Sequence, residues 1–221
     1  MTAVLLEPLL LSFQIAVIAT LLAGCGSLAL IAATQGRRVA SLFDAVLTAP
    51  LVLPPTVLGY YLLTVLGRRS SLGLAWESLT GSSFVFTRTG AVIAATITAL
   101  PLVLQSARAA IDAVDPLLLD AARTLGATRL GALTRVALPL ASRGVAAGLL
   151  LGFARACGDF GVTLMIAGNI PGETQTAALA LYDAVLAGRD DDARVLAVAL
   201  TLLAVVLIAS VQWLGRRAHA R

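Results

Sequence analysis

Lysine is absent from this 221-residue sequence, and all 16 of its basic residues are arginines. A Gly-x-x-x-x-Gly-Lys-Ser/Thr loop that binds nucleotide phosphates needs a lysine, so the chain itself contains no such site. Histidine occurs once, at His219, and the two cysteines, Cys25 and Cys157, lie within apolar runs. These shortages exclude a His/Cys metal site and a disulfide framework.

Charge is scarce as well. Charged residues make up 13% of the chain and hydrophobic residues 59%, with a mean hydropathy of +0.94. Soluble domains contain about 25% charged residues, so the composition indicates a chain embedded in membrane lipid. The arginines sit between apolar runs rather than on a basic face, which argues against a nucleic-acid partner. No clustered nucleophile and base is present, so an enzyme is not expected.

Five apolar stretches are long enough to cross the hydrocarbon core, which takes about 20 helical residues. They predict an all-α, polytopic membrane protein with about five transmembrane helices in one domain, 1–221. The predicted spans cover residues 9–33, 45–66, 90–111, 144–167 and 195–214. A short helix outside the membrane is predicted over 176–187, after a turn at Pro171-Gly172.

Arginine placement predicts the orientation, because Arg and Lys accumulate in cytoplasmic loops. With the N-terminus outside, ten arginines face the cytoplasm and five face the exterior. The cytoplasmic set is Arg37, Arg38, Arg108, Arg123, Arg129, Arg135, Arg143, Arg216, Arg217 and Arg221, and the exterior set is Arg68, Arg69, Arg88, Arg189 and Arg194. We therefore expect the N-terminus outside and the C-terminus in the cytoplasm.

The second predicted span contains three prolines, Pro50, Pro54 and Pro55. Proline removes a backbone donor and clashes with the preceding turn, so the helix has to kink or restart there. A restart at mid-depth often marks the substrate path of a transporter, but membrane helices also tolerate proline as a packing kink. Both interpretations stay open for Pro54 and Pro55, and the adjacent Thr56 is a candidate contact in such a path.

The polar stretch between the third and fourth spans, residues 112–139, predicts two short helices on the cytoplasmic face. Asp115-Pro116 is a helix start, with Asp as N-cap and Pro at the first helical position. Gly126 suits the left-handed turn that ends the first helix. Thr128 is placed to cap a second helix, which we expect Pro139 to end. Such a pair has the shape of a docking element and carries no catalytic chemistry of its own.

The same stretch carries a spaced pattern. Asp120-Ala121-Ala122 is followed after three residues by Gly126 and after nine more by Val136-Ala137-Leu138-Pro139. This pattern resembles the EAA loop of ABC importer permeases, with Asp and Val where that family has Glu and Ile. The resemblance implies the type I ABC importer permease fold. It also implies that Asp120, Ala121, Ala122, Gly126, Leu138 and Pro139 couple the chain to an ATPase subunit.

Further stretches resemble molybdate permeases, which are related to sulfate permeases. They are residues 51–55, 67–69, 153–161 and 169–174, with Asp159 where the family usually has Glu. The resemblance implies a bacterial plasma-membrane importer of molybdate, built from two copies of this chain, two ATPase subunits that hold ATP-Mg, and an external molybdate-binding protein. No cofactor or metal is implied on this chain. Sulfate or tungstate as cargo, and more distantly an ion-coupled secondary transporter, are the alternatives.

Arg155 stands inside the fourth predicted span, with Asp159 four residues later on the same helix face. A charge at mid-membrane is costly, so it is paired or functional. The two residues therefore form a self-neutralising pair in the core or part of the path or gate for the anion. Thr163 and Asn169 are further polar candidates along the path. The family resemblance implies that Asn169, Glu173 and Thr174 face the binding protein.

Overall fold

The computed structural model describes residues 2–34 and 40–218, and it describes side chains for residues 5–34 and 45–215. All regular structure in these ranges is helical, which confirms the predicted all-α fold. The helices are α1 Thr2–Thr34, α2 Ala40–Val52, α3 Pro55–Leu66, α4 Ser71–Thr80, α5 Arg88–Asp112, α6 Pro116–Thr124, α7 Arg129–Ala132, α8 Leu138–Cys157, α9 Gly161–Ala167, α10 Ala177–Leu186 and α11 Asp190–Ala218, with a π-helical turn at Leu133–Ala137.

Four helical segments among these residues are long and apolar enough to cross a membrane: Leu5–Thr34, Arg88–Asp112, Arg129–Cys157 and Asp190–Gly215. The second span over 45–66 is divided into α2 and α3, which confirms the predicted restart of the helix at its prolines. Pro54 has extended backbone angles, φ −54° and ψ 135°, as a residue before proline prefers. The two short helices follow one another and together make the second pass between the ends of the bundle.

The fourth predicted span, 144–167, is wrong as a continuous helix. The helix ends at Cys157, and a separate short helix, α9, begins at Gly161. Phe160 between them departs from helical geometry, with φ −121° and ψ −60°. The carboxylate of Asp159 accepts a hydrogen bond from the backbone N–H of Thr163 in the first turn of α9. This side-chain acceptor takes the place of the backbone carbonyl that a continuous helix would supply.

Pro139 does not end a helix, contrary to the sequence prediction. The chain passes from α7 through the π-helical turn directly into α8, and Pro139 lies in the first turn of α8. Within the wider π turn, Leu138 N–H bonds to the carbonyl of Leu133, five residues back. A π turn shifts the hydrogen-bond register, and this shift accommodates the proline ring without a break.

The centre of the bundle consists of α1, α5 and α8, whose contact faces are rich in alanine and glycine. Gly144, Gly148 and Gly152 recur every four residues on α8 and lie against α5. A Cβ atom at Gly148 would come within 2.7 Å of the Ser106 Cβ, and Cβ atoms at the other two glycines would overlap Ala110 and Val103. Small residues let membrane helices approach closely, so this stripe sets the α5–α8 separation.

We call the end of the bundle that carries the loop over 112–139 the coupling end. The opposite end, where α4 and α10 lie, is the outer end. The Arg108 guanidinium donates to Thr34 Oγ1, 3.0 Å away, so α1 and α5 both finish at the coupling end. The predicted short helix over 176–187 is confirmed as α10, Ala177–Leu186. Arg37, Arg38, His219 and Arg221 lie outside the described residues, as do the side chains of Arg216 and Arg217.

Candidate functional site: a coupling loop and a broken-helix core

The loop at the coupling end has the predicted helix–glycine–helix form. Asp115 Oδ1 accepts a hydrogen bond from Leu117 N at 2.9 Å, which caps α6. Gly126 adopts φ +89°, the left-handed conformation that favours glycine. Thr128 Oγ1 accepts from Gly131 N at 3.0 Å and caps α7. The sequence therefore identified the capping residues and the turn of this loop correctly.

The loop presents an apolar tip. Leu125, directly before Gly126, is 90% exposed, and Leu117 and Leu130 are also exposed. Sequence analysis missed Leu125; the available signal was a large apolar residue directly before the turn glycine. These three leucines give the loop exposed apolar side chains on both sides of its turn.

The predicted coupling residues divide into two groups. Asp120 and Ala121 are exposed and Ala122 is half-buried, so they accompany the tip, and Asp120 pairs with Arg123 at 3.2 Å. Leu138 is instead half-buried and packs against the inner cluster at the coupling end, while Pro139 is exposed at the start of α8. Leu138 and Pro139 therefore lie at the root of the loop.

The root of the loop is packed firmly into the bundle. Leu133 and Ala137 of the π turn are buried against Leu104, Ala107 and Ile111 of α5. Helical structure is continuous from Arg129 to Cys157. One continuous helical body therefore runs from the second helix of the loop into the bundle.

Arg155 and Asp159 form the predicted ion pair across the break between α8 and α9. Arg155 Nη1 donates to Asp159 Oδ1 at 3.0 Å, and the two side chains are 31% and 1% exposed. Asp159 Oδ2 accepts from Thr163 N at 3.0 Å and from Thr163 Oγ1 at 2.6 Å. The hydroxyl of Thr163 therefore faces the carboxylate, and Thr163 is buried rather than turned towards a cavity.

The two helix breaks adjoin each other. A Cβ at Gly161, the first residue of α9, would lie 2.7 Å from Pro55 Cβ, and one at Gly59 would lie 2.6 Å from Met165 Cβ. Pro54, Pro55 and Thr56 are exposed at the start of α3. Interrupted backbone at membrane depth is tolerated where it is buried in protein or lines a water-filled cavity, so the paired breaks are the candidate transport path.

The segment that follows α9 forms a compact loop at the outer end. Arg88 donates from Nε to the Glu173 carbonyl at 3.0 Å and from Nη2 to the Gly172 carbonyl at 2.9 Å. Thr174, predicted to face a binding protein, is fully buried, and its Oγ1 accepts from Ile170 N. Glu173 is exposed at the tip, whereas Asn169 is half-buried.

Within the described residues no three His, Cys, Asp or Glu side chains are grouped so that they could hold a metal ion. The geometry provides a docking loop, a charged pair at a helix break and an outer loop. These parts are suited to movement of a solute across a membrane in response to a partner.

A model of the family described as the binding-protein-dependent transport system inner membrane component matches residues 26–221. The chain belongs to this family. Among individual relatives, the molybdenum transport system permease protein ModB of Escherichia coli (strain K12) is 40% identical to this inner membrane component, over 82% of the chain and 80% of the relative. ModB of Haemophilus influenzae is 41% identical over 80% and 78%.

A more complete alignment is with the putative molybdenum transport system permease protein YvgM of Bacillus subtilis (strain 168), at 37% identity over 93% of this chain and 91% of the relative. Among solved structures, the crystal structure of an amino acid ABC transporter with histidines matches with a TM-score of 0.64 and 17% identity. It covers 98% of this transport component and 94% of the other chain. That likeness shows that the two share a fold.

Proposed function

We propose that this chain is the membrane-spanning subunit of an ATP-driven importer of molybdate. The observation that carries the proposal is the coupling loop, in which two capped helices meet at Gly126 and expose Leu125 next to the turn. A chain without lysine has no phosphate-binding loop of its own. ATP-Mg is therefore held by partner ATPase subunits, which dock on this loop through Asp120, Ala121 and Ala122, with Leu138 and Pro139 at its root.

The cargo assignment rests on relatives. Three proteins named for molybdenum transport align with most of this chain at 37–41% identity. Tungstate and sulfate are tetrahedral dianions of the same class, and they are tested beside molybdate below. An external binding protein delivers the anion to the outer end, where Glu173 is exposed on the loop that Arg88 fixes.

The path for the anion runs between two copies of this chain, each forming one permease domain over residues 1–221 with two ATPase subunits beneath. In each copy it follows the adjoining helix breaks, at Pro54, Pro55 and Thr56 on one side and at Arg155 and Asp159 on the other. Broken helices place unpaired backbone groups at the path. Thr163 supports Asp159, and Asn169 lies where α9 opens into the outer loop.

We propose an orientation with the N-terminus outside and the coupling end in the cytoplasm. Among the described residues, Arg123, Arg129 and Arg135 lie on or beside the coupling loop. Asp190, Asp191 and Asp192 begin α11 at the outer end. The arginine-rich end is expected to be cytoplasmic.

The test is ATP hydrolysis and anion uptake by the purified complex in lipid vesicles, with the binding protein loaded with molybdate, tungstate or sulfate. Wild type is compared with Gly126→Asp, because Asp tolerates positive φ better than most residues and brings a charge to the docking surface. Gly81→Asp is the matched control, since Gly81 also has positive φ with no atom near its Cβ position but lies in the outer helix region.

We expect molybdate-loaded binding protein to stimulate hydrolysis in wild type and Gly81→Asp, and Gly126→Asp to lose the stimulation while inserting normally. If only the sulfate-loaded binding protein stimulates hydrolysis, the cargo assignment is refuted and the importer assignment is unaffected. Normal coupling in Gly126→Asp would refute the role of the loop. If no ATPase subunit copurifies with the wild-type chain, the importer assignment itself fails.

A further inference from the structure

The two oxygens of the Asp159 carboxylate have different partners. Oδ2 accepts both the backbone N–H and the hydroxyl of Thr163, which ties the carboxylate to the start of α9. Oδ1 accepts from Arg155 Nη1, which belongs to the last turn of α8. The contact with α9 is local and doubly bonded, so the carboxylate stays with α9. The contact with Arg155 is the one that can be exchanged.

Arg155 has unused capacity to donate hydrogen bonds. A guanidinium carries five N–H donors, and Asp159 Oδ1 is its one hydrogen-bond acceptor among the described residues. The Arg155 side chain is 31% exposed, whereas that of Asp159 is 1% exposed. The guanidinium of Arg155 is thus the exposed member of the pair, and the carboxylate of Asp159 that balances its charge is buried.

The pair lies within the membrane-spanning part of the bundle. Gly152, one turn before Arg155, lies beside Ala99 and Val103 of α5, and Ile166 after the pair lies beside Gly90. Arg155 and Asp159 therefore lie at the depth of the outer half of α5. A partly exposed guanidinium at this depth is strongly disfavoured against lipid, so the proposal that follows places its open side towards the path and not towards lipid.

We propose that Asp159 is a built-in competitor for the transported oxyanion: Arg155 releases Asp159 Oδ1 and donates to an oxygen of the dianion as it passes. The proposal rests on the importer function proposed above. A free guanidinium in a site of low dielectric would hold an oxyanion through strong charge-assisted hydrogen bonds, and tight holding would slow release. Because the anion has to displace a fixed carboxylate, and is repelled by it, the contact stays weak.

The discriminating variant is Asp159→Asn. Its side-chain oxygen still accepts from Thr163 N, so the start of α9 is kept. The negative charge that competes with the anion for Arg155 is removed. We expect the detergent-purified complex, without binding protein, to bind radiolabelled molybdate about tenfold more tightly, the scale of one hydrogen bond to a charged group. Maximal molybdate uptake in vesicles should fall by a comparable factor because release becomes slow.

The second variant adds Arg155→Gln to Asp159→Asn and so leaves no buried charge unpaired. If Arg155 is the anion contact, the double variant loses the tightened binding and takes up molybdate more slowly than wild type. Arg189→Gln is the control, because this arginine pairs with Asp183 and Asp192 at the outer end. It should leave both measurements unchanged.

A purely structural ion pair predicts a different pattern. The neutral double variant would then restore uptake to the wild-type level, and neither variant would change molybdate binding; this result would overturn the proposal and leave the importer function intact. Failure of the wild-type complex to take up molybdate, tungstate or sulfate would overturn both.

Discussion

Leu125 is the most exposed leucine of the coupling loop and is expected to be buried when this chain docks on its ATPase subunit. Its side chain is 90% exposed at the tip of the coupling loop. Burial of a leucine side chain contributes about 1.5–3 kcal/mol, so Leu125→Ala should cost about 2 kcal/mol at each interface. That cost corresponds to roughly 30-fold weaker binding of the ATPase subunit. The fold should be unaffected, because the side chain makes little contact within the chain.

The assay is titration of purified ATPase subunit onto the permease in lipid nanodiscs, followed by binding-protein-stimulated hydrolysis at each ATPase concentration. Leu79→Ala is the matched control, since Leu79 is 83% exposed on α4 at the outer end. We expect the titration midpoint to shift for Leu125→Ala alone, with stimulated hydrolysis restored at high ATPase concentration.

Equal midpoints for Leu125→Ala and Leu79→Ala would refute the reasoning, because the exposed leucine would then not be buried on docking. A lower maximal hydrolysis rate at an unchanged midpoint would also contradict it. In that case Leu125 would act in transmission of movement and not in affinity.

Two further predictions concern the bundle and the outer loop. Gly148→Ala places a Cβ 2.7 Å from Ser106 Cβ, and overpacking of this kind costs about 1–3 kcal/mol. The Tm of the variant in detergent should therefore fall, and the additional change Ser106→Gly should restore it. An unchanged Tm would show that α5 and α8 separate freely. Arg88→Gln removes the hydrogen bonds to the carbonyls of Gly172 and Glu173, so half-maximal stimulation should require several-fold more binding protein at the same maximal rate. Arg69→Gln, the same loss of charge at the outer end, should not have this effect, and an equal shift in both would assign it to charge alone.

Local signals in the sequence were sufficient for the coupling loop. Asp115, Gly126 and Thr128 perform the capping and turning roles expected of them, because those roles depend on a few neighbouring backbone groups. The pairing of Arg155 with Asp159 followed from helical spacing and the cost of unpaired charge in a membrane. Chemistry within one helical turn was therefore predictable.

Features set by hydrogen-bond register were not predictable. Apolar composition is the same on both sides of Phe160, so hydropathy could not locate the break between α8 and α9; the signal is the carboxylate of Asp159 bonding to Thr163. Pro139 was assigned to a helix end because proline usually disrupts an α-helix, but the π turn before it removes the conflict. The burial of Thr174 follows from a hydrogen bond within the outer loop.

The continuous helix over Arg129–Cys157 and the break after it suggest how docking of the ATPase subunit at the coupling end would move residues of the proposed path. α7, the π turn and α8 form one helical body of 29 residues, Arg129–Cys157, which at about 1.5 Å per residue extends roughly 40 Å. This body carries the root of the coupling loop at one end and Arg155 at the other. Asp159, across the break, is bonded to α9, and α9 packs on α3. Under the coupling proposed above, a displacement of α8 by the ATPase subunit changes the distance between Arg155 and Asp159, and this is why the proposal assigns the anion contact to this pair.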